Sequence, residues 1–187
     1  MSTAAAKVIS VNVGQRREIP WRGRTVVTGI FKQPVAGRVT VRDDHVEGDH
    51  VVDLRVHGGW SKAVYAYPAE HYAWWRAELP EREWPWGFFG ENLTIEGLLE
   101  HDVGVGDRLR VGSAELEVTE PRLPCFKLGF KFGSTTFIKR FLRSGRTGFY
   151  LAIAAPGDIG AGDPIERIGR VEGAETIAGL VRSVSAG

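Results

Sequence analysis

Apolar residues along this chain come in short runs, many alternating with polar ones, and glycine-bearing turns divide them. Alternation at period two marks half-buried strands, so the pattern predicts a β-rich fold with many turns. The runs predict strands over Val8–Val13, Arg24–Phe31, Arg38–Val41, Asp49–Leu54, Ala63–Ala66, Asn92–Ile95, Arg108–Val111, Ala114–Thr119 and Phe149–Ala154. The clearest hairpin turns at Gly112-Ser113, where glycine at the first turn position suits a type II′ turn. Two segments echo each other: Gly104-Val105-Gly106-Asp107 before Arg108-Leu109, and Gly160-Ala161-Gly162-Asp163 before Pro164-Ile165. Each is a Gly-Asp turn opening a strand, and neither completes a dinucleotide fingerprint.

Period 3.6 takes over in three places. A helix is predicted from near Pro68 through Tyr72, Trp75 and Leu79, ending before Pro80. A second, capped by Ser134, carries Phe137, Ile138, Phe141 and Leu142 on one face and Lys139, Arg140 and Arg143 on the other. A last amphipathic stretch, Ala174 to Val184, would either pack on the strands or make an oligomer contact, so a homodimer stays open.

The 187 residues suit one domain, or one domain with a small appendage, and can bury a real core. A net charge of +1 gives no reason to expect a nucleic acid or membrane partner. A single cysteine excludes an intramolecular disulfide framework and fits a reducing compartment. Met1 to Lys7 shows no signal-peptide core, and no apolar run reaches transmembrane length, so a cytoplasmic location is expected.

That cysteine changes the picture. Cys125 stands in a window from Pro121 to Gly157 that lacks Asp and Glu but holds Arg122, Lys127, Lys131, Lys139, Arg140, Arg143 and Arg146. Nearby cations favour the thiolate, the form that attacks or binds metal, and cations also hold anionic ligands. The alternative is a small buried hydrophobe, a common fate of free cysteine. His57-Gly58-Gly59 before Lys62 is either a backbone anion nest or a tight turn. Gly90-Glu91-Asn92 leads into a strand, as a ligand contact through Asn92 or as a bulge. Trp74, Trp75, Trp84, Trp86, Phe88 and Phe89 form an aromatic belt that either lines a pocket for a planar ligand or packs the core; core packing is favoured for Trp75. The five histidines never form a helical ligand pair, and neither a Gly-x-Ser-x-Gly elbow nor a Walker-type loop is present.

Taken in order, His57-Gly58-Gly59, Lys62-Ala63-Val64-Tyr65-Ala66-Tyr67-Pro68, Glu70-His71-Tyr72, Phe89-Gly90-Glu91-Asn92-Leu93-Thr94, Gly106-Asp107 and Pro121-Arg122-x-Pro124-Cys125-x-Lys127-Leu128 resemble the MOSC domain family, named for the molybdenum cofactor sulfurase C-terminal domain. The match runs from about Gly29 to Ile168 and is most similar to the YiiM-like branch. The resemblance implies a mostly antiparallel β-barrel with a few helices over residues 1–170, then one short helix over 171–187, where members of that branch often continue further. It implies the molybdenum cofactor (molybdopterin), with Cys125 as thiolate ligand to the metal or as a persulfide carrier. It also implies reduction of N-hydroxylated compounds such as hydroxylaminopurines, with electrons from a separate donor protein. Pyridoxal phosphate is not expected, because the aminotransferase-like domain associated with it would need a longer chain. On this resemblance Lys32, Gly58, Gly59, Lys62, Asn92, Arg122 and Lys127 are expected around the cofactor, and His57 near it for proton delivery. A sulfur carrier without pterin and a non-catalytic cofactor-binding module remain as alternatives.

Overall fold

The computed structural model describes residues 5–50 and 59–186. It is mainly β, with thirteen strands and four α-helices among the described residues. The principal sheet has eight strands. In spatial order they are β13 (Ile165–Gly169), β9 (Arg108–Val111), β10 (Ala114–Pro121), β11 (Phe149–Ala155), β7 (Val64–Pro68), β8 (Leu93–Glu96), β1 (Lys7–Gly14) and β4 (Lys32–Pro34). All its ladders are antiparallel except β7–β8. The sheet therefore has two ends, β13 and β4, and its ladder does not close among the described residues. The start of β1 nonetheless meets the approach to β13, through Val8 N donating to Asp163 O (2.9 Å) and Ile165 N donating to Ala6 O (2.8 Å).

A smaller sheet joins β12 (Gly157–Gly160), β5 (Arg38–Arg42) and β6 (His45–Val46), and a separate hairpin joins β2 (Arg17–Trp21) to β3 (Arg24–Thr28). The helices are α1 (Ala69–Glu78), α2 (Phe126–Phe132), α3 (Thr136–Arg143) and α4 (Ile177–Ser185). No described helix is long and apolar enough to cross a membrane.

Most expected elements are present, with boundaries shifted by up to three residues. The strand expected over Arg24–Phe31 stops at Thr28, and Pro68 caps α1 instead of opening it. Helix α3 begins two residues after Ser134, whose hydroxyl meets Thr136 Oγ1 (2.8 Å) rather than the backbone. Of the strand expected over Asp49–Leu54, residues 51–54 lie outside the described residues, and Asp49 and His50 carry no strand. The Gly112-Ser113 turn has its positive φ (59°) at the glycine alone, as a type II′ turn requires. In both echo segments the aspartate takes the amide of the first glycine: Gly104 N to Asp107 Oδ2 (3.0 Å) and Gly160 N to Asp163 Oδ2 (2.8 Å). The two strands they open, β9 and β13, pair with each other.

Two cores fill the molecule. One is aliphatic, under the principal sheet; the other is aromatic and includes Tyr67, Tyr72, Trp75, Trp84, Phe89 and Phe141. The aromatic belt is thus mainly core. Trp75 is fully buried with its Nε1 on Tyr67 Oη (2.8 Å), and Trp84 is buried as well.

Candidate functional site

Cys125 follows the end of β10 by four residues and caps α2 in extended backbone. Pro121 and Pro124 stiffen the approach on either side of Arg122. The thiol borders an open cleft enclosing about 610 Å³, solvent-facing space included. Lys32, Lys62, Asn92, Arg122 and Lys127 line the same cleft. The folded chain therefore brings together six of the expected site residues from four separate segments. His57 and Gly58 lie outside the described residues. Gly59 does not line the cleft; at φ 88° it caps the 3-10 turn Trp60–Lys62 that carries Lys62.

Arg122 is the most informative member. It is 5% exposed, and its Nη1 has no hydrogen-bond partner among the described residues. Its guanidinium lies over the rings of Tyr65 (5.5 Å) and Phe141 (5.4 Å). Burial works against its charge, but Tyr65, Tyr150 and Cys125 outweigh burial and raise its pKa above the ordinary value. Lys127 is also buried, at 7% exposure, and no hydrogen bond or ion pair engages it among the described residues. A buried donor without an acceptor costs about 1–3 kcal/mol, and more when charged. The arrangement favours an anionic ligand.

The other cations are already engaged. Lys32 Nζ lies 2.5 Å from both oxygens of Asp49, and the two side chains are 8% and 3% exposed. Asp49 also takes the amide of Gly14 (2.7 Å) and Asn92 Nδ2 (2.9 Å). Asn92 Oδ1 accepts from Tyr65 N (3.1 Å), so its amide ties β7 to Asp49. Lys62 pairs with Glu120 at 3.7 Å.

The cationic window around Cys125 splits in the fold. Arg122 and Lys127 face the cleft. Lys131 is held on Ile30 O and Gly87 O (both 3.3 Å), and burial, with Lys32 and Arg122 nearby, lowers its pKa to about 8 against the pull of Glu91. Arg140 pairs with Glu78 (2.7 Å), Arg146 packs over Trp74 (4.2 Å), and Lys139 and Arg143 are exposed. These last four are not among the residues lining the cleft.

Glu91 explains why a carboxylate belongs in the Gly-Glu-Asn run. Fully buried, it accepts from Gly87 N (2.8 Å), Phe89 N (3.1 Å), Thr94 Oγ1 (2.9 Å) and the Tyr72 hydroxyl. Burial raises its pKa and these hydrogen bonds oppose the rise. The loop it fixes delivers Phe89, Gly90 and Asn92 to the cleft wall.

Asp49 and Tyr150 are cleft residues that sequence reasoning missed. Tyr150 sits beside Arg122 and Cys125; burial raises its pKa, Arg122 lowers it and Cys125 raises it. Its signal was a lone phenol within the predicted strand Phe149–Ala154. Asp49 had no local motif at all. Among the described residues no cluster of three or more His, Cys, Asp or Glu could hold a metal. A metal on Cys125 would need a ligand that brings its own donors.

The MOSC domain model matches residues 53–166 of this chain. An uncharacterized protein, YflK, of Bacillus subtilis is 39% identical over 88% of the chain and 74% of its own length. A protein of Gibberella moniliformis named a reductase is 36% identical over 79% of the chain, and the match spans 27% of that longer protein. The crystal structure of YiiM from Geobacillus stearothermophilus superposes with a TM-score of 0.79 at 34% identity, covering 96% of this chain and 84% of that one.

Proposed function

The chain belongs to the MOSC domain family, and we propose that its cleft binds the molybdenum cofactor and reduces N-hydroxylated compounds. The observation that carries the reading is Arg122: a buried cation whose Nη1 has no partner among the described residues, lining the same cleft as the thiol of Cys125. Cys125 is the soft donor that molybdenum favours. A dithiolene-bearing pterin supplies the further metal donors that the described residues lack. Its phosphate gives the buried Nη1 of Arg122 an acceptor, with Lys127 lining the same cleft. The likeness to a protein named a reductase supports the reaction class.

Bound there, the cofactor would supply the two-electron redox couple at molybdenum. The net reaction is R–NHOH + 2e⁻ + 2H⁺ → R–NH₂ + H₂O. The N–O bond breaks, the oxygen leaves as water, and the electrons come from a separate redox protein. The chain's own part is to hold and orient. Cys125 fixes the metal, Arg122 and Lys127 anchor the phosphate, and Lys62 stands in the same cleft wall. Asn92 and Asp49 hold Lys32 in the wall, and His57 delivers protons. In the same reading the principal sheet is the family's barrel, closing where Ala6–Val8 meets Asp163–Ile165.

The test is reduction of 6-hydroxylaminopurine by protein purified from a cofactor-producing host, with dithionite as electron source. Turnover by wild type and its loss in Cys125→Ser is the expected result. An inactive wild type that carries full molybdenum refutes the reaction.

A further inference from the structure

We infer that the rim of this cleft is the docking surface for the electron donor, and that the donor meets it with an acidic face. The inference rests on the reductase reading above and adds the surface, its residues and the partner's charge.

Two of the most exposed large apolar residues stand beside the cleft. Trp60 is 60% exposed and Leu123 is 48% exposed. Trp60 opens the turn that presents Lys62, and Leu123 lies between Arg122 and Cys125. The two segments are tied together: Ser61 Oγ donates to Glu120 Oε1 (2.9 Å), and Thr119 Oγ1 donates to Ser61 O (2.6 Å), just before Leu123 in the chain. A solvent-facing Trp next to a reactive cleft is unusual for a monomer surface, and aromatic residues and Arg are enriched at interfaces.

The third side of the rim is cationic. Trp21, at the end of β2, stacks on Phe126 with ring centroids 4.9 Å apart. That contact brings the tip of the β2–β3 hairpin beside the residue that follows Cys125. The tip presents Arg22 and Arg24, both exposed, on a turn whose Arg22 and Gly23 have φ of 49° and 74°. The only carboxylate on this hairpin, Glu18, pairs across to Val27, away from the tip. Glu120, the acidic residue nearest Leu123, is engaged by Lys62 and Ser61. The stretch after it, from Pro121 to Gly157, holds no Asp or Glu. Among the described residues the rim thus offers two apolar anchors and, at Arg22 and Arg24, exposed charge that no ion pair engages, which fits a negatively charged protein face. Small interfaces of this kind suit transient electron transfer, where rim charge sets association rate and salt dependence.

The probe is a plant-type [2Fe–2S] ferredoxin with its NADPH-dependent reductase, used with the molybdenum-loaded protein. In Arg22→Glu/Arg24→Glu the KM for ferredoxin rises about tenfold, and Trp60→Ser and Leu123→Ser raise it about threefold. The calorimetric Kd for ferredoxin weakens in parallel, and added salt raises the wild-type KM. Rates with dithionite stay at the wild-type level in all variants. Variants that keep the wild-type KM and Kd, or a wild type reduced by dithionite but not by ferredoxin, overturn the surface. A loaded wild type inert with dithionite as well fails the reductase reading itself, and the surface's role with it.

Discussion

Asp49 takes Lys32, the amide of Gly14 and the amide of Asn92 at once, and its side chain is only 3% exposed. Removing one partner of a buried ion pair leaves an uncompensated charge, which costs about 3–5 kcal/mol. Asp49→Asn is therefore expected to lower unfolding free energy by about 3 kcal/mol in urea titrations. The double variant Asp49→Asn/Lys32→Met should recover much of that loss, because no orphan charge remains. Equal losses in both variants would show that the pair is not the cause. At this scale the sequence was readable where chemistry clusters locally. Cys125, Arg122 and Lys127 sit within six positions and line one cleft. Lys32 and Asn92 were found as well, but their partner Asp49 was not, because it comes to them only through tertiary contact. The same limit hid the role of Glu91, whose hydrogen bonds go to residues on both sides of it and to Tyr72 on α1.

At the scale of elements, α2 shows how a pattern can conceal a helix. Phe-Lys-Leu-Gly-Phe-Lys-Phe over 126–132 alternates strictly, as a strand would, and sequence reasoning assigned it no element. In the fold it is helical: Leu128 and Phe132, four apart, enter the aromatic core, and Lys127 faces the cleft. The alternation survives because Phe126 and Phe130 are only half-buried. Strand β2 was hidden differently, since Pro20 within Arg17–Trp21 argues against a strand; it is tolerated in a two-stranded hairpin, where one edge is unpaired. Among the described residues that hairpin pairs with no other strand. Trp21→Ala is expected to speed amide exchange across 17–28 while β7, β10 and β11 keep their protection, because few buried contacts tie the hairpin down. Unchanged exchange in 17–28 would show that the Trp21–Phe126 stack does not hold it.

For the whole molecule, the β-rich architecture was legible from short alternating runs and glycine turns, and the family from motifs that are each weak but occur in order. The strand order was not: periodicity announced the helix after β7, but not that β7 and β8 pair in parallel across it and the loop that follows. That crossover sets the cleft wall: Asn92 N donates to Tyr65 O (2.8 Å), placing the Gly-Glu-Asn run against the strand that follows Lys62. β10 then leads into the segment that supplies Arg122 and Cys125, and β11 adds Tyr150. The most direct measurement is molybdenum and pterin content, by elemental analysis and fluorescence of the oxidised pterin, in wild type, Cys125→Ser and Arg122→Ala from a cofactor-producing host. Near-stoichiometric metal and pterin in wild type, with metal lost in Cys125→Ser and both reduced in Arg122→Ala, is the expected result. Absence of both from wild type, or full retention in both variants, would contradict a cofactor held by this thiol and this buried cation.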